Sequence, residues 1–158
     1  MKKLKIYLDT SVVSYLQQDD APDAMRDTLK LWQSIKQGEY ETFLSEVTSD
    51  EIGKCYEPKK AILTKYLFEI IYTEIKLTDE IDALAQKFVE NNILRQKSID
   101  DCRHIACSII SGCDIIVSWN FKHIVNYKTI KGIKLISLIT GYKDIAIYTS
   151  TMLIEGGE

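Results

Sequence analysis

The sequence predicts an α/β fold in which helices cover both faces of a central parallel sheet. Two observations predict it. Short apolar segments alternate with longer segments of helical periodicity, which is typical of βαβ units joined by right-handed crossovers. The chain is also short, with 158 residues of which 46% are hydrophobic. We therefore expect a single domain over residues 1–158, which buries roughly 70% of the surface of its unfolded chain.

The first half of the chain is predicted to contain three strands and four helices. The first strand has apolar side chains on both faces, with Ile6 and Leu8 on one and Tyr7 on the other, as in a strand that is buried on both sides. Gly38 is placed to end the second helix. We predict strands at 3–8, 41–44 and 73–77, and helices at 12–17, 23–37, 46–52 and 59–72.

The second half is predicted to contain three helices and two strands. Thr78 is a typical capping residue before an acidic first turn, and Gly112 is placed to end the following helix. We predict helices at 79–91, 98–111 and 133–142, and strands at 114–118 and 145–148. The larger side chains expected in the core include Leu29, Leu31, Trp32, Ile35, Phe43, Phe68 and Phe88.

Composition excludes several classes of protein. The 23 acidic and 20 basic residues give a net charge of −3, so the surface as a whole is not that of a nucleic-acid binder, although a local site remains possible. Glycine-rich phosphate loops are absent, so we expect no nucleotide cofactor. No signal peptide and no membrane-spanning segment are recognised, and we expect a cytoplasmic enzyme or binding domain.

The four cysteines predict neither a zinc site nor disulfide bonds. Close Cys-x-x-Cys pairs are missing, and three of the four fall in or beside one apolar helical pattern. We expect small buried side chains at Cys55, Cys102, Cys107 and Cys113.

Acidic residues follow or flank the predicted strands. Asp9 comes directly after the first strand, Glu51 lies in the helix after the second, and Asp100 and Asp101 lie in the first turn of the 98–111 helix. In parallel sheets the functional crevice lies beyond the carboxyl ends of the strands, which selects Asp9 and the turn at 118–120. Converging carboxylates repel unless a cation offsets them, and hard oxygen ligands suit Mg²⁺ or Mn²⁺.

Each acid also has a simpler interpretation. Asp9 is well placed to cap the first helix, and Asp100 or Asp101 in a first helical turn could complement the helix dipole. Glu51 alone would be taken for a surface residue. Periodicity does not establish that the segments meet, so both interpretations stay open at this point.

Four segments in order resemble the PIN-domain family. They are IYLDTS at 6–11, LSEVTSDEI at 44–52, DCRHIA at 101–106 and CDIIVSWNF at 113–121. The subgroup that they resemble most is the VapC-like ribonucleases of bacterial toxin–antitoxin systems. The resemblance spans most of the chain, and the ordered combination is more specific than any one segment.

The resemblance implies a three-layer α/β/α PIN-like fold and a Mg²⁺- or Mn²⁺-dependent endoribonuclease. By position, Asp9, Glu51 and Asp101 match the acidic catalytic and metal-binding residues. Asn120 stands where the family commonly has a fourth acid and is included as a metal ligand, since an amide carbonyl adds an oxygen without charge. The partners implied are an RNA substrate, a small antitoxin protein and a second copy of the chain.

Other residues near these segments have two interpretations. His104, three residues after Asp101, is expected to be packed or hydrogen-bonded rather than catalytic. The stretch 120–134 holds four lysines and no acid, so it could receive RNA phosphates or be an ordinary solvated face. Tyr127 or Trp119 would be available for base stacking. Further cations whose positions the sequence does not fix are Arg95, Lys97 and Arg103.

Two other functions stay open. A non-enzymatic PIN-like module that binds RNA or protein is motivated by Asn120, which lacks the charge of the usual acid. An α/β phosphohydrolase with Asp9 as nucleophile ranks last, because the haloacid-dehalogenase type normally has a second Asp where this chain has Ser11.

Overall fold

A computed structural model describes residues 2–156 and has a parallel five-stranded sheet in the order β3-β2-β1-β4-β5. The central strand β1 pairs with β2 through Tyr7 and Phe43 and with β4 through Leu8 and Val117. The strands are β1 Leu4–Leu8, β2 Tyr40–Ser45, β3 Thr73–Ile75, β4 Ile115–Val117 and β5 Ala146–Tyr148. The predicted α/β fold with a central parallel sheet is confirmed.

Helices cover both faces of this sheet. The helices are α1 Thr10–Tyr15, α2 Pro22–Lys36, α3 Glu46–Gly53, α4 Lys59–Leu67, α5 Asp79–Glu90, α6 Ile99–Ile110, α7 Tyr127–Thr140 and α8 Ser150–Gly156, with a 3₁₀ turn at Gln96–Ser98. Ile6 and Leu8 pack in the core under α1, α2, α3, α4 and α8, whereas Tyr7 packs in the core under α5, α6 and α7. The two-sided burial predicted for the first strand is therefore confirmed.

Helix α4 ends at Leu67 and not at the predicted residue 72. Two hydrogen bonds of turns follow it. The amide of Glu69 donates to the carbonyl of Tyr66, and the amide of Ile70 donates to the carbonyl of Leu67. Phe68 is 85% exposed there, so its predicted place in the core is wrong. Leu29, expected on the buried side of α2, is also exposed.

Two other differences arise where polar side chains take buried positions. Helix α7 begins at Tyr127 and not at 133, because Asn126 caps it by accepting from the amide of Thr129. Thr129 is buried and Ile130 is exposed, so the apolar pattern of the first turn of α7 does not mark its core-facing side. Helix α8 was not predicted. The hydroxyl of Thr151 donates to Asp27 at 2.5 Å, which helps to dock α8 on α2.

Three of the cysteines are buried as expected. Burial raises the pKa of the Cys102 and Cys113 thiols to about 12 and that of Cys107 to about 11. Cys55 is half-buried, and all four thiols are free. Within residues 2–156, no helix combines the length and the apolar character needed to cross a membrane.

Candidate active site

The loops after β1 and β4 lie side by side at the carboxyl edge of the sheet. The amide of Asp9 donates to the carbonyl of Val117 at 3.2 Å, which aligns the ends of the two strands. Ser118 and Asn120 follow β4 directly. The rule that polar residues just after parallel strands converge holds for Asp9 and the turn at 118–120.

Asp9 is buried and held by two serine hydroxyls. Its side chain is 3% exposed. Ser11 donates to Oδ1 at 2.5 Å and Ser118 donates to Oδ2 at 2.6 Å. The serine oxygens themselves accept from the amides of Trp119 and Asn120, so their hydroxyl hydrogens are directed to the carboxylate.

Asp9 occupies the capping position of α1, as the simpler interpretation predicts, but capping does not account for the two serine hydroxyls that hold its carboxylate oxygens. Burial raises the pKa of its carboxyl, and the nearby His104 and the two serine hydroxyls offset only part of that effect. Asp9 is thus a buried acid whose charge is costly unless a cation approaches it.

Asp101 lies in the first turn of α6, and its side chain contacts Asn120 of the loop after β4. The Nδ2 group of Asn120 donates to Oδ1 of Asp101 at 3.3 Å. Burial raises the pKa of Asp101, and the negative charges of Asp9 and Glu51 act in the same direction, against the two histidines nearby. The charge of Asp9 therefore disfavours the ionised form of Asp101.

The amide of Asn120 is oriented by its own loop. Its Oδ1 accepts from the backbone amide of His123 at 2.9 Å, and a backbone N–H requires an acceptor. The donating Nδ2 group therefore faces Asp101. The structure gives Asn120 the place of a residue that orients Asp101, whereas the sequence suggested that its carbonyl would bind a metal.

Glu51 is joined to two other elements by hydrogen bonds. Its Oε1 accepts from the Thr10 hydroxyl at 2.8 Å and lies 2.7 Å from Nε2 of His104. Burial alone would raise the pKa of Glu51, but the hydrogen bonds from His104 and Thr10 and the charge of His104 hold it below its ordinary value. Glu51 is ionised and fixed at the junction of α1, α3 and α6.

His104 is packed and hydrogen-bonded, as predicted. The side chain is 2% exposed, and its Nδ1 lies 2.6 Å from the hydroxyl of Tyr7, which lies 2.7 Å from Oγ of Ser45. Burial works against a charged ring, but the bond to Glu51 and the charges of Asp9, Glu51 and Asp101 raise the pKa of His104 above 6.5. The sequence gave no sign of the links from Tyr7 and Ser45, because they join residues far apart in the chain.

Several cations and aromatics near the site have defined partners. Arg103 pairs with Asp82 and Asp100, both at 2.9 Å, so its guanidinium is already bound by two carboxylates of the protein. Trp119 is 8% exposed, stacks on Tyr15, and donates its indole N–H to Thr28. The predicted base-stacking role of Trp119 is wrong, because the side chain is buried, Tyr15 covers one face and Thr28 takes its N–H group.

The donor set suits a hard divalent cation. Among residues 2–156, no three His, Cys, Asp or Glu side chains stand as a ready-made metal site. Mg²⁺ is often held by one or two carboxylates with water in the other positions. Asp9 and Asp101 form no ion pair with any described lysine or arginine. The pKa values of Asp9 and Asp101 are both raised, and a bound divalent cation would neutralise their charge.

The sequence matches no family model and no curated protein. Among solved structures, it is similar to a chain in the crystal structure of VapBC2 from Rickettsia felis bound to a DNA fragment from their promoter. The two chains are 14% identical, and the match covers 92% of this chain and 98% of that chain with a TM-score of 0.58.

The chain has a PIN-like fold. At 14% identity the likeness establishes the fold, and the resemblance expected from the four sequence segments is confirmed at that level. Within the PIN-like fold, Asp9, Asp101 and Asn120 meet at the carboxyl edge of the sheet. Glu51 joins them through Thr10 and His104. Ser118, which the sequence placed only in a turn, is a direct partner of Asp9.

Proposed function

We propose that this protein is a Mg²⁺- or Mn²⁺-dependent endoribonuclease and the toxin of a type II toxin–antitoxin pair. One observation carries the enzymatic part. Asp9 is buried with both oxygens accepting from serine hydroxyls, beside Asp101, and neither acid pairs with a described lysine or arginine. Two neighbouring acids that His104 compensates only in part, at the carboxyl edge of a PIN-like sheet, suit a cation-dependent phosphodiesterase.

Each residue has a separate task in this proposal. Asp9 and Asp101 would hold the cation, and Asn120 would keep Asp101 in place. Glu51, fixed by Thr10 and His104, would orient a water molecule at the site. The bound ion would lower the pKa of a coordinated water and offset charge on the phosphoryl oxygens.

The hydrogen bonds around Asp9 support this division of tasks. Each oxygen of Asp9 accepts a serine hydroxyl, and since a carboxylate has about four acceptor positions, Asp9 can also accept a cation. Glu51 commits Oε1 to Thr10 and His104, so Oε2 is the oxygen that can face the site. We infer that Oε2 holds the water that Glu51 orients.

The toxin role rests on the likeness of the fold. The similar chain belongs to VapBC2, which was crystallised with a fragment of promoter DNA. We propose by analogy that a small antitoxin protein binds this chain, that the chain forms a homodimer, and that it acts in the cytoplasm. Co-purification with the product of a short neighbouring gene would test the first of these statements.

A non-enzymatic PIN-like module is the second candidate. The observation in its favour is that the described residues hold no ready-made trio of metal-binding side chains. Binding of RNA or protein without Mn²⁺ binding and without cleavage would support it.

The proposed activity is tested by incubating the purified chain with structured and unstructured RNA, first in EDTA and then with Mg²⁺ or Mn²⁺ restored. We expect cleavage only after the metal is restored, and no cleavage by Asp9→Ala that keeps its fold. Cleavage that continues in EDTA, or in folded Asp9→Ala, would overturn the assignment.

A further inference from the structure

A positively charged cleft lies beside the candidate active site. It has a volume of about 640 Å³ and lies between the loop 92–97 and the segment 122–129. We call it the basic cleft; its cationic side chains are Arg95, Lys97, Lys122 and Lys128.

Among residues 2–156, no acidic side chain lines the basic cleft. The four cations are exposed, and none of them forms an ion pair with a described acid. Arg103 shows the contrast, since it is paired with two aspartates. The cations of the basic cleft are thus free to bind an external anion, whereas Arg103 is not.

The shape of the cleft depends on one close contact. A Cβ at Gly132 of α7 would lie 2.6 Å from Cγ1 of Ile93, so only glycine lets α7 approach the loop this closely. Asn92 in the same loop has a φ of 60°, in the left-handed region where asparagine is tolerated. Across the cleft, Oγ of Ser98 lies 3.3 Å from Nδ1 of His123. These two contacts fix the walls of the cleft relative to each other.

The cleft leads directly to the proposed site. His123 lines the cleft, and its backbone amide donates to Oδ1 of Asn120 at 2.9 Å. Asn120 in turn donates to Asp101 at 3.3 Å. A polyanion lying in the cleft would therefore continue past His123 and Asn120 toward Asp101.

We propose that the basic cleft binds the phosphate backbone of a single-stranded RNA substrate on one side of the bond that is cut. The inference rests on the proposed function, since it names the path of the same substrate. Four cations without an ion-pair partner, two on each wall of the cleft, suit a flexible polyanion. The side chains of Gln96 and Asn92 add polar groups that can reach ribose hydroxyls.

The number of cations sets a measurable salt dependence. Counterion release from single strands contributes a slope of about −0.7 per phosphate contact, so four contacts predict about −2.8 for log K against log salt. Removing two of them should reduce the slope by about 1.4 and weaken binding roughly 25-fold at about 0.1 M salt.

The test measures the affinity of a fluorescent single-stranded RNA by anisotropy in EDTA, where no cleavage interferes. The cleft variant is Lys122→Gln with Lys128→Gln. The matched control is Lys2→Gln with Lys3→Gln, which removes the same charge from exposed residues before β1, at the opposite edge of the sheet. Cleavage of the same RNA by each protein with Mn²⁺ is measured in parallel.

We expect the cleft variant alone to lose affinity and salt slope. Equal affinities for the cleft variant and wild type would overturn the inference, and so would equal losses in both double variants. If only the cleft variant loses RNA affinity but wild type cleaves no RNA, RNA binding by the cleft is supported and the proposed nuclease activity is refuted. If wild type cleaves RNA and the cleft variant binds RNA as tightly as wild type, the nuclease activity is supported and RNA binding by the cleft is refuted.

Discussion

Nε2 of His104 lies 2.7 Å from Oε1 of Glu51, and this contact joins α6 to α3 across the candidate site. In the imidazolium form both ring nitrogens donate, Nε2 to Glu51 and Nδ1 to the oxygen of Tyr7. The charged ring therefore partly compensates three acids when no cation is bound. It also fixes Glu51 in one position, which suits a residue that orients water.

The raised pKa of His104 predicts a pH-dependent stability in the metal-free protein. A histidine whose pKa is higher in the folded state stabilises it fully below its unfolded pKa of about 6.5 and loses that contribution as the pH rises through the folded pKa. We expect the free energy of urea unfolding in EDTA to fall from pH 6.5 upward. His104→Gln should be less stable at low pH and should lack this decline.

Tyr7→Phe is the control for that experiment. It removes the hydroxyl beside Nδ1 but keeps the bond between His104 and Glu51. We expect a loss of about 1–2 kcal/mol with the pH dependence retained. Parallel pH profiles for wild type and His104→Gln would contradict the assigned charge state.

Divalent metal should stabilise the wild-type protein. A ligand at 100 times its Kd adds about 2.7 kcal/mol to the free energy of unfolding, which corresponds to roughly 5–10 °C in Tm for a chain of this size. Asp101→Asn should show a much smaller shift. In EDTA the same variant should unfold at a higher temperature than wild type, because burial and like charges raise the pKa of Asp101.

Thermal unfolding with and without Mn²⁺ checks these expectations independently of any substrate. An equal metal-induced shift in wild type and Asp101→Asn would show that the ion binds elsewhere.

Gly132→Ala should destabilise the protein although alanine favours helices. The added Cβ would lie 2.6 Å from Cγ1 and 2.9 Å from Cδ1 of the buried Ile93, so the helix or the loop must shift. We expect a net loss of about 1–2 kcal/mol in urea unfolding, because overpacking outweighs the helix propensity gained.

Gly53→Ala provides the comparison, since no atom of the described residues lies within 4 Å of its added Cβ. It should leave the stability unchanged or raise it by up to about 1 kcal/mol. Equal effects at both glycines would refute the close packing of α7 on the loop.

The general position of the site could be predicted from the sequence, but its hydrogen bonds could not. Asp9 follows a strand in a parallel sheet, and the topology alone places such residues at one edge. The partners of Asp9 could not be predicted, because Ser118 is 109 residues away in the chain. The orientation of the Asn120 amide likewise depends on the His123 backbone amide, which no motif reveals.

Element boundaries were missed where polar residues are buried or apolar ones exposed. Thr129 faces the core at the start of α7, and Leu138 and Ile139 near its end are exposed. An apolar pattern therefore marks only part of the helix. Trp119 was misinterpreted for a related reason, since an aromatic residue beside a site can pack inward, as its stack on Tyr15 shows.

The central claim is tested most directly by the rates of Mn²⁺-dependent RNA cleavage by wild type, Asp101→Asn and Asp100→Asn. The two variants change adjacent residues by the same charge, but Asp100 pairs with Arg103 at the surface, whereas Asp101 is beside Asn120. We predict that Asp100→Asn cleaves at nearly the wild-type rate and that Asp101→Asn loses at least about 100-fold, or roughly 2.7 kcal/mol of transition-state stabilisation. Equal cleavage by folded Asp101→Asn and Asp100→Asn would contradict the account.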